Sequence, residues 1–285
     1  VRVAAVGHVE WIEFVRGDHV PAAGEIVHAH DSFEEPAGGG AVAAVQLARL
    51  AGGATFLTAL GEDELARRTR ARLAELGVTV RDGTREDPTR RGLTFLDAQG
   101  ERTIITIGER LAPRGRDPLD WEDLERADGV YLTAADGEAL HAARAAGVLV
   151  ASPRAGRVLH EEGVRLDALV YSDGDEFETA FARALDPPPT LLVATRGAEG
   201  GRYETVRGSR GSRGSRGSRG SWAAAPLPGP IADTYGAGDS FAAALTFALA
   251  QGRDPEAALA LAARAGAICL TGHGPYEKQL SADAL

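Results

Sequence analysis

Asp233-Thr-Tyr-Gly-Ala-Gly-Asp-Ser-Phe241 sets two carboxylates around a Gly-Ala-Gly run, directly before the apolar stretch Phe241–Ala250. Only Thr246 in that stretch is β-branched, so it reads as a buried helix. Gly236, Ala237 and Gly238 then present N–H groups at a helix N-terminus. No intrahelical acceptor exists there, and the helix dipole favours an anion. Asp239 follows in the first turn. Such a cradle suits a phosphoryl group, while the carboxylate takes a proton from an attacking hydroxyl. Asp, Ser and Thr at a helix start are also ordinary caps, and Gly-x-Gly is ordinary loop punctuation. Two acids bracketing the glycines, with a buried helix behind, favour the functional reading. A carboxylate at a helix N-terminus is expected to keep a low pKa and to be a weak base.

The rest of the composition narrows the chemistry. Of the 31 basic residues, Lys278 is the only lysine. A P-loop requires Gly-x-x-x-x-Gly-Lys, and a protein kinase requires a strand lysine on the nucleotide phosphates; neither pattern is present. Phosphate handling therefore falls to backbone N–H groups, arginine and a metal ion. The net charge of −10 argues against nucleic acid as a partner. His28 and His30 are expected to share a face of a solvated strand, with no further ligand at zinc spacing. Cys269, the single cysteine, falls in an apolar helical stretch and is expected to be buried and inert. Charged residues interrupt every candidate membrane span, and Val1–Val6 reads as a strand without a secretory pattern. The expectation is a cytoplasmic protein with no membrane partner.

The elements that must position Asp239 alternate along the chain. Strands are expected at Arg2–Gly7, Ala54–Leu60, Val130–Thr133, Val148–Ala151, Leu169–Ser172 and Leu191–Thr195. Helices are expected at Gly38–Leu50, Glu62–Leu76 with Gly77 at its C-terminus, near 136–146 and 176–185, and at 239–251 and 255–270. Apolar strands spaced by helices describe a three-layer α/β/α sandwich around a mostly parallel sheet. The 285 residues are read as one domain. Two antiparallel ribbons interrupt the alternation, Val9–Val15 with Glu25–Phe33, and Leu93–Asp97 with Arg102–Ile107. These insertions, at about 9–34 and 91–107, are read as a small β-sheet lid.

Residues 207–221 are five copies of Arg-Gly-Ser. With no apolar side chain they are expected to form a loop tip between strands Tyr203–Val206 and Trp222–Ala225. Arg-Gly repeats can bind RNA. Without these five arginines the remaining chain would stand at −15, which favours a tolerated repeat expansion.

The ordered motifs resemble those of the ribokinase-like (PfkB) carbohydrate kinases. Asp233–Asp239 is similar to the family's C-terminal signature, and Pro36-Ala-Gly-Gly-Gly-Ala-Val42 to its Gly-rich first signature. Pro21-Ala-Ala-Gly-Glu25 and Gly100-Glu-Arg-Thr103 resemble lid motifs, and Gly61-Glu-Asp63 resembles a third motif. Thr195-Arg-Gly-Ala-Glu-Gly200 resembles the stretch that contacts the nucleotide. The resemblance implies transfer of the γ-phosphoryl group of ATP to a hydroxyl of a sugar, sugar phosphate or nucleoside, with magnesium. It implies Asp239 as base, and Gly236, Ala237 and Gly238 as the anion hole. Thr195, Gly197, Gly200, Asp233 and Thr234 are the implied nucleotide residues, and Glu10, Gly38, Gly39 and Arg102 the implied substrate residues. It further implies a possible monovalent cation and a possible homodimer formed through the lid.

The departures concern the acceptor and the metal. An ungapped count from Gly7 places Glu10 and Ile12 where the family has Asn and Asp. Ala37 and Val42 stand at the first Gly and the Asn of the Gly-rich loop. Polar contacts to sugar hydroxyls are lost, so ribose is expected to be a poor substrate. The magnesium motif Asn-x-x-Glu aligns with Ser172-Asp-Gly-Asp175. Asp175, with Asp173, is expected to serve hydrated magnesium; the alternative is that both cap the next helix. Other readings left open are a nucleoside kinase, a catalytically weakened ligand-binding or regulatory protein, and a dinucleotide oxidoreductase. No Gly-x-Gly-x-x-Gly follows the first strand to support the last of these.

Overall fold

A computed structural model of the chain describes residues 1–205 and 217–285. Nine strands form the main sheet: β1 (Val3–Val6), β4 (Ala54–Gly61), β5 (Val78–Arg85), β8 (Gly129–Leu132), β9 (Val148–Ala151), β10 (Ala168–Ser172), β11 (Leu191–Thr195), β12 (Gly201–Thr205) and β13 (Arg219–Trp222). Their order is β13-β12-β11-β10-β9-β8-β1-β4-β5, parallel from β11 to β5 and antiparallel at β12 and β13. Alternate residues of β1 serve opposite faces, as the two-residue strand period requires. Val3 and Ala5 join one core with Phe56 and Tyr131, beneath α1 (Gly39–Ala51), α6 (Ala237–Ala250) and α7 (Pro255–Cys269). Ala4 and Val6 join the other with Leu57 and Val130, beneath α3 (Gly137–Arg144), α4 (Val158–Glu161) and α5 (Glu176–Ala184). Helices thus cover both faces, giving the three expected layers.

Polar caps set several helix starts. Asp63 accepts from the Ala66 amide at 2.8 Å to open α2 (Glu64–Glu75), and Gly77 (φ 83°) stands just beyond its end. Asp136, Asp175 and Asp254 cap α3, α5 and α7 in the same way.

The lid is a four-stranded sheet of order β3-β2-β6-β7, built from β2 (Glu10–Arg16), β3 (Asp31–Ala37), β6 (Arg91–Leu96) and β7 (Arg102–Ile107). The expected strand Glu25–Phe33 is displaced: the strand that pairs with β2 is β3, and residues 25–29 have no regular structure. The displacement follows from burial. Phe33 stacks on Phe14 with ring centroids 4.8 Å apart, whereas Ile26 upstream is 86% exposed. His28 and His30 are therefore not a strand pair, and His30 lies 3.0 Å from Asp18.

Strand β5 was not anticipated. It lies at the sheet edge and alternates buried with polar exposed residues, so it carries little continuous apolar signal. The Arg-Gly-Ser repeat also ends differently from expectation. Arg219-Gly-Ser221 forms most of β13, paired with β12, and Gly220 lies so close to the Tyr203 ring that an added Cβ would approach it to 2.4 Å. The expected strand Trp222–Ala225 is thus shifted towards the repeat. The remainder of the expected loop, 207–216, lies outside the described residues.

Candidate active site

Helix α6 begins at Gly236, whose φ of 83° is left-handed and suits glycine. The amides of Ala237, Gly238 and Asp239 have no acceptor among the described residues. Gly238 is exposed, so the helix mouth opens to a ligand. Asp239 is half-buried and forms no hydrogen bond or ion pair among the described residues. A Cβ added to Gly39 would lie 2.8 Å from Asp239 Oδ1, so only glycine leaves this carboxylate its place. Desolvation raises its pKa to about 6, against the opposing pull of Arg102 and Arg154. The expected low value is corrected: loss of water outweighs the cations and the helix terminus.

The other half of the cleft lies at the ends of β1 and β8. Glu10 is 6% exposed and pairs with Arg90 at 2.8 Å. Desolvation raises the Glu10 pKa although Arg90 and Arg110 oppose it. His8 accepts at Nδ1 from Arg110 at 2.7 Å, and desolvation, with Arg110 and Arg90, holds it neutral by lowering its pKa. Gly38 (φ 89°) donates its N–H to the Tyr235 hydroxyl at 3.0 Å and lies against the His8 ring. The structure therefore gathers Glu10, Gly38, Gly39 and Asp239 into one region. His8, Arg90, Arg110, Thr133 and Tyr235 belong to it as well and were not singled out. His8 directly follows Gly7, the end of the expected strand Arg2–Gly7, which was the one available signal; the arginines belong to no motif.

Arg102 reaches from the lid to the loop before α6, donating to the Thr234 carbonyl with its guanidinium 5.6 Å from the Tyr235 ring centroid. Thr234 is occupied in the same latch. Its N–H and its hydroxyl each donate to the Gly100 carbonyl at 3.2 Å. Asp233 is fully buried and accepts from the Tyr235 amide at 2.7 Å and the Gly274 amide at 2.9 Å. Desolvation raises its pKa against those two bonds. Asp233 and Thr234, expected at the nucleotide, brace the loop through these backbone bonds.

Thr195 ends β11 and donates to the Tyr171 carbonyl at 3.2 Å. Gly197 (φ 55°) and Gly200 (φ 79°) shape the turn behind it. Gly200 packs on the Trp222 backbone, and the Trp222 ring stacks on Phe241 of α6 at 5.8 Å. This chain of contacts links the Thr195–Gly200 turn to the helix that carries Asp239.

The two residues expected at hydrated magnesium both contact arginine. Asp173 receives Arg196 at 2.6 Å and Arg202 at 2.9 Å, and its pKa is lowered by these bonds. Asp175 caps α5 through Oδ1 and receives Arg154 at 3.1 Å through Oδ2. Arginine engages both carboxylates, and Asp175 also caps α5, as the alternative reading has it. No cluster of three or more metal-ligating side chains occurs among the described residues.

The comparisons identify the family and the fold. The family model described as pfkB family carbohydrate kinase matches residues 2–282. The chain belongs to this family of kinases. This pfkB-family kinase is 27% identical over 290 residues to a ribokinase of Bacillus subtilis (strain 168), covering 95% of this chain and 94% of the relative. Its fold is similar to that of a Thermotoga maritima ribokinase, with a TM-score of 0.76, 20% identity, and 100% and 97% of the two chains covered. An Arabidopsis thaliana ribokinase complexed with ribose and ATP gives 0.75 at 21% identity, covering 99% and 96%. An adenosine kinase from Sinorhizobium meliloti gives 0.73 at 19%, covering 99% and 97%.

Proposed function

We propose that this kinase transfers the γ-phosphoryl group of ATP to a hydroxyl of a sugar or sugar-like metabolite, with Asp239 as the base. The observation that carries the reading is an unpartnered carboxylate at the open mouth of a helix whose first amides lack acceptors. The acceptor hydroxyl sits against Asp239 and attacks the γ-phosphorus. Its oxygen forms the new P–O bond, the bond to the β-phosphate oxygen breaks, and Asp239 takes the proton. The amides of Gly236, Ala237 and Gly238 stabilise the charge on the migrating group. Thr195, Gly197 and Gly200 hold the nucleotide. Magnesium enters as part of the MgATP substrate, since Asp173 and Asp175 are engaged by arginine. The raised pKa of Asp239 suits it to the role better than an ordinary aspartate.

The latch from Gly100 and Arg102 to Thr234 lets the lid cover the acceptor and exclude water, which otherwise competes as acceptor. The free edge of the lid is β7, where Ile104, Ile105 and Ile107 are 41%, 58% and 48% exposed. An apolar edge strand of this kind pairs with another chain, and we assign it to a second copy of the lid.

Ribose is a slow acceptor in this account, because Ile12 and Val42 are fully buried apolar residues and offer no hydroxyl partner. The test is a screen of MgATP with ribose, fructose, 2-keto-3-deoxygluconate, inositol and nucleosides, read by ADP release and ³¹P NMR of the product. Acceptor-dependent ADP release with a new phosphate ester supports the proposal. ATP turnover that no acceptor stimulates contradicts it and favours the regulatory reading.

A further inference from the structure

We infer that Arg110 binds a negatively charged group on the acceptor, so that the preferred substrate is a hydroxylated carboxylate or a phosphate ester rather than a neutral sugar. The inference rests on the kinase reading of the same site and narrows its substrate class.

Arg110 has no carboxylate partner among the described residues; Arg102 of the lid lacks one too, but its guanidinium is spent on the Thr234 carbonyl and the Tyr235 ring. Arg110 donates to His8 Nδ1 at 2.7 Å, to the Thr133 carbonyl at 2.9 Å and to the Arg154 carbonyl at 2.8 Å, all uncharged acceptors. Its neighbours differ. Arg90 is matched by Glu10, and Arg154 by Asp175 and Glu178. Asp239, the remaining acid, makes no ion pair among the described residues, as its role as base requires. Arg110 thus keeps its guanidinium on uncharged acceptors, with room for a carboxylate or phosphate from a ligand.

The three bonds fix the guanidinium and leave donors over. Nε and one hydrogen of Nη1 have no acceptor among the described residues. A fixed guanidinium with spare donors suits an anion that offers several oxygens. Arg110 is also exposed, so a ligand can reach it. Desolvation lowers its pKa; Glu10 and Asp239 oppose this, while Arg90 and Arg154 add repulsion. An incoming anion relieves that repulsion.

Position separates the acceptor from the nucleotide as the source of that anion. The His8 ring contacted by Arg110 packs on Gly38, and a Cβ on Gly39 would meet both Thr133 at 3.4 Å and Asp239 at 2.8 Å. Arg110 thus lies within two residues' contact of the base, at the ends of β1 and β8. The Thr195–Gly200 turn lies at the end of β11, beyond β9 and β10. An acceptor with its hydroxyl at Asp239 and its anionic end at Arg110 spans the region described.

The experiment measures initial rates with MgATP for wild type, Arg110→Gln and Arg110→Lys. The acceptors are 2-keto-3-deoxygluconate and gluconate (carboxylates), fructose 6-phosphate (a phosphate ester), and neutral ribose and fructose. Wild type is expected to favour one charged class over the neutral sugars, and which class responds identifies the anion. Arg110→Gln is expected to lower kcat/KM for that class ~10–100-fold, mainly through KM, as loss of a charged hydrogen-bonding partner does. Neutral acceptors lose clearly less than the charged class, the KM for ATP stays near wild type, and Arg110→Lys recovers part of the loss. Preference for a neutral sugar, equal loss for all acceptors, or a raised KM for ATP overturns the inference while leaving the kinase reading intact. Should no acceptor be phosphorylated, the kinase reading falls, and thermal unfolding still tests Arg110. Stabilisation by a charged acceptor and not by fructose, lost in Arg110→Gln, supports the anion site; equal or absent stabilisation refutes it.

Discussion

Gly39 and Asp239 share one space: a Cβ on residue 39 would stand 2.8 Å from Asp239 Oδ1. The start of α1 is thereby fitted to the carboxylate at the start of α6. Gly39→Ala is expected to push the carboxylate aside without unfolding the protein, since the Gly39 backbone is not left-handed. A displacement of about 1 Å at a reacting group costs up to ~100-fold in rate, so kcat should fall by at least ~10-fold. The KM for ATP should remain near wild type. Steady-state kinetics beside a thermal unfolding curve check both halves.

The raised pKa of Asp239 gives the activity an acid limb. The base must be ionised, so kcat/KM should fall about tenfold per pH unit well below pH 6 and level off above pH 7. Stability moves the other way. The fold favours the protonated acid, so the contribution is fully present below the ordinary aspartate range and lost as pH rises through about 6. Carrying the ionised form costs up to about 3 kcal/mol, taking ~1.4 kcal/mol per pKa unit. Asp239→Asn should therefore raise Tm at pH 8, with a gain that shrinks towards pH 4. Calorimetry across that range tests the sign.

A bidentate ion pair supports the segment that delivers Arg110. Arg85 on β5 donates to Asp117 at 3.0 and 2.7 Å, and both side chains are only 9% exposed. Arg85 also holds the Ala112 carbonyl at 2.7 Å. Asp117→Ala leaves a buried guanidinium unmatched and should cost about 3–5 kcal/mol in urea unfolding. Replacing both partners with apolar residues should recover much of that loss.

The exposed isoleucines of β7 bear on assembly. If the lid edge pairs with a second copy, wild type sediments as a dimer at micromolar concentration. Ile105→Lys, at the most exposed of the three, should shift it to monomer with its far-ultraviolet circular dichroism unchanged. A monomeric wild type contradicts the assignment.

The parallel strands and the helix carrying Asp239 were legible because buried parallel strands and apolar helices leave continuous apolar runs, as at Leu191–Thr195 and Phe241–Ala250. Strand β5 was not, since an edge strand with polar residues on one face lacks such a run. Gly38 and Gly39 were found through motif spacing. Which polar atoms remained free was not legible. Asp173, Asp175, Asp233 and Thr234 resemble ligand groups by type and position, yet each is used by an arginine or a backbone group. Arg110 reaches His8 and Thr133 only through folding, across separations no local pattern encodes. The Asp239 pKa was misjudged because desolvation depends on what the fold packs around the helix start.

The central claim is that Asp239 accepts the proton of the attacking hydroxyl while the neighbouring amides hold the phosphoryl group. Its most direct test pairs the phosphotransfer rate of Asp239→Asn with ATP binding by calorimetry, using an acceptor that wild type phosphorylates. The account predicts loss of transfer by ~100-fold or more, the upper scale of a lost general base, with ATP affinity near wild type. Near-wild-type turnover by Asp239→Asn would contradict it.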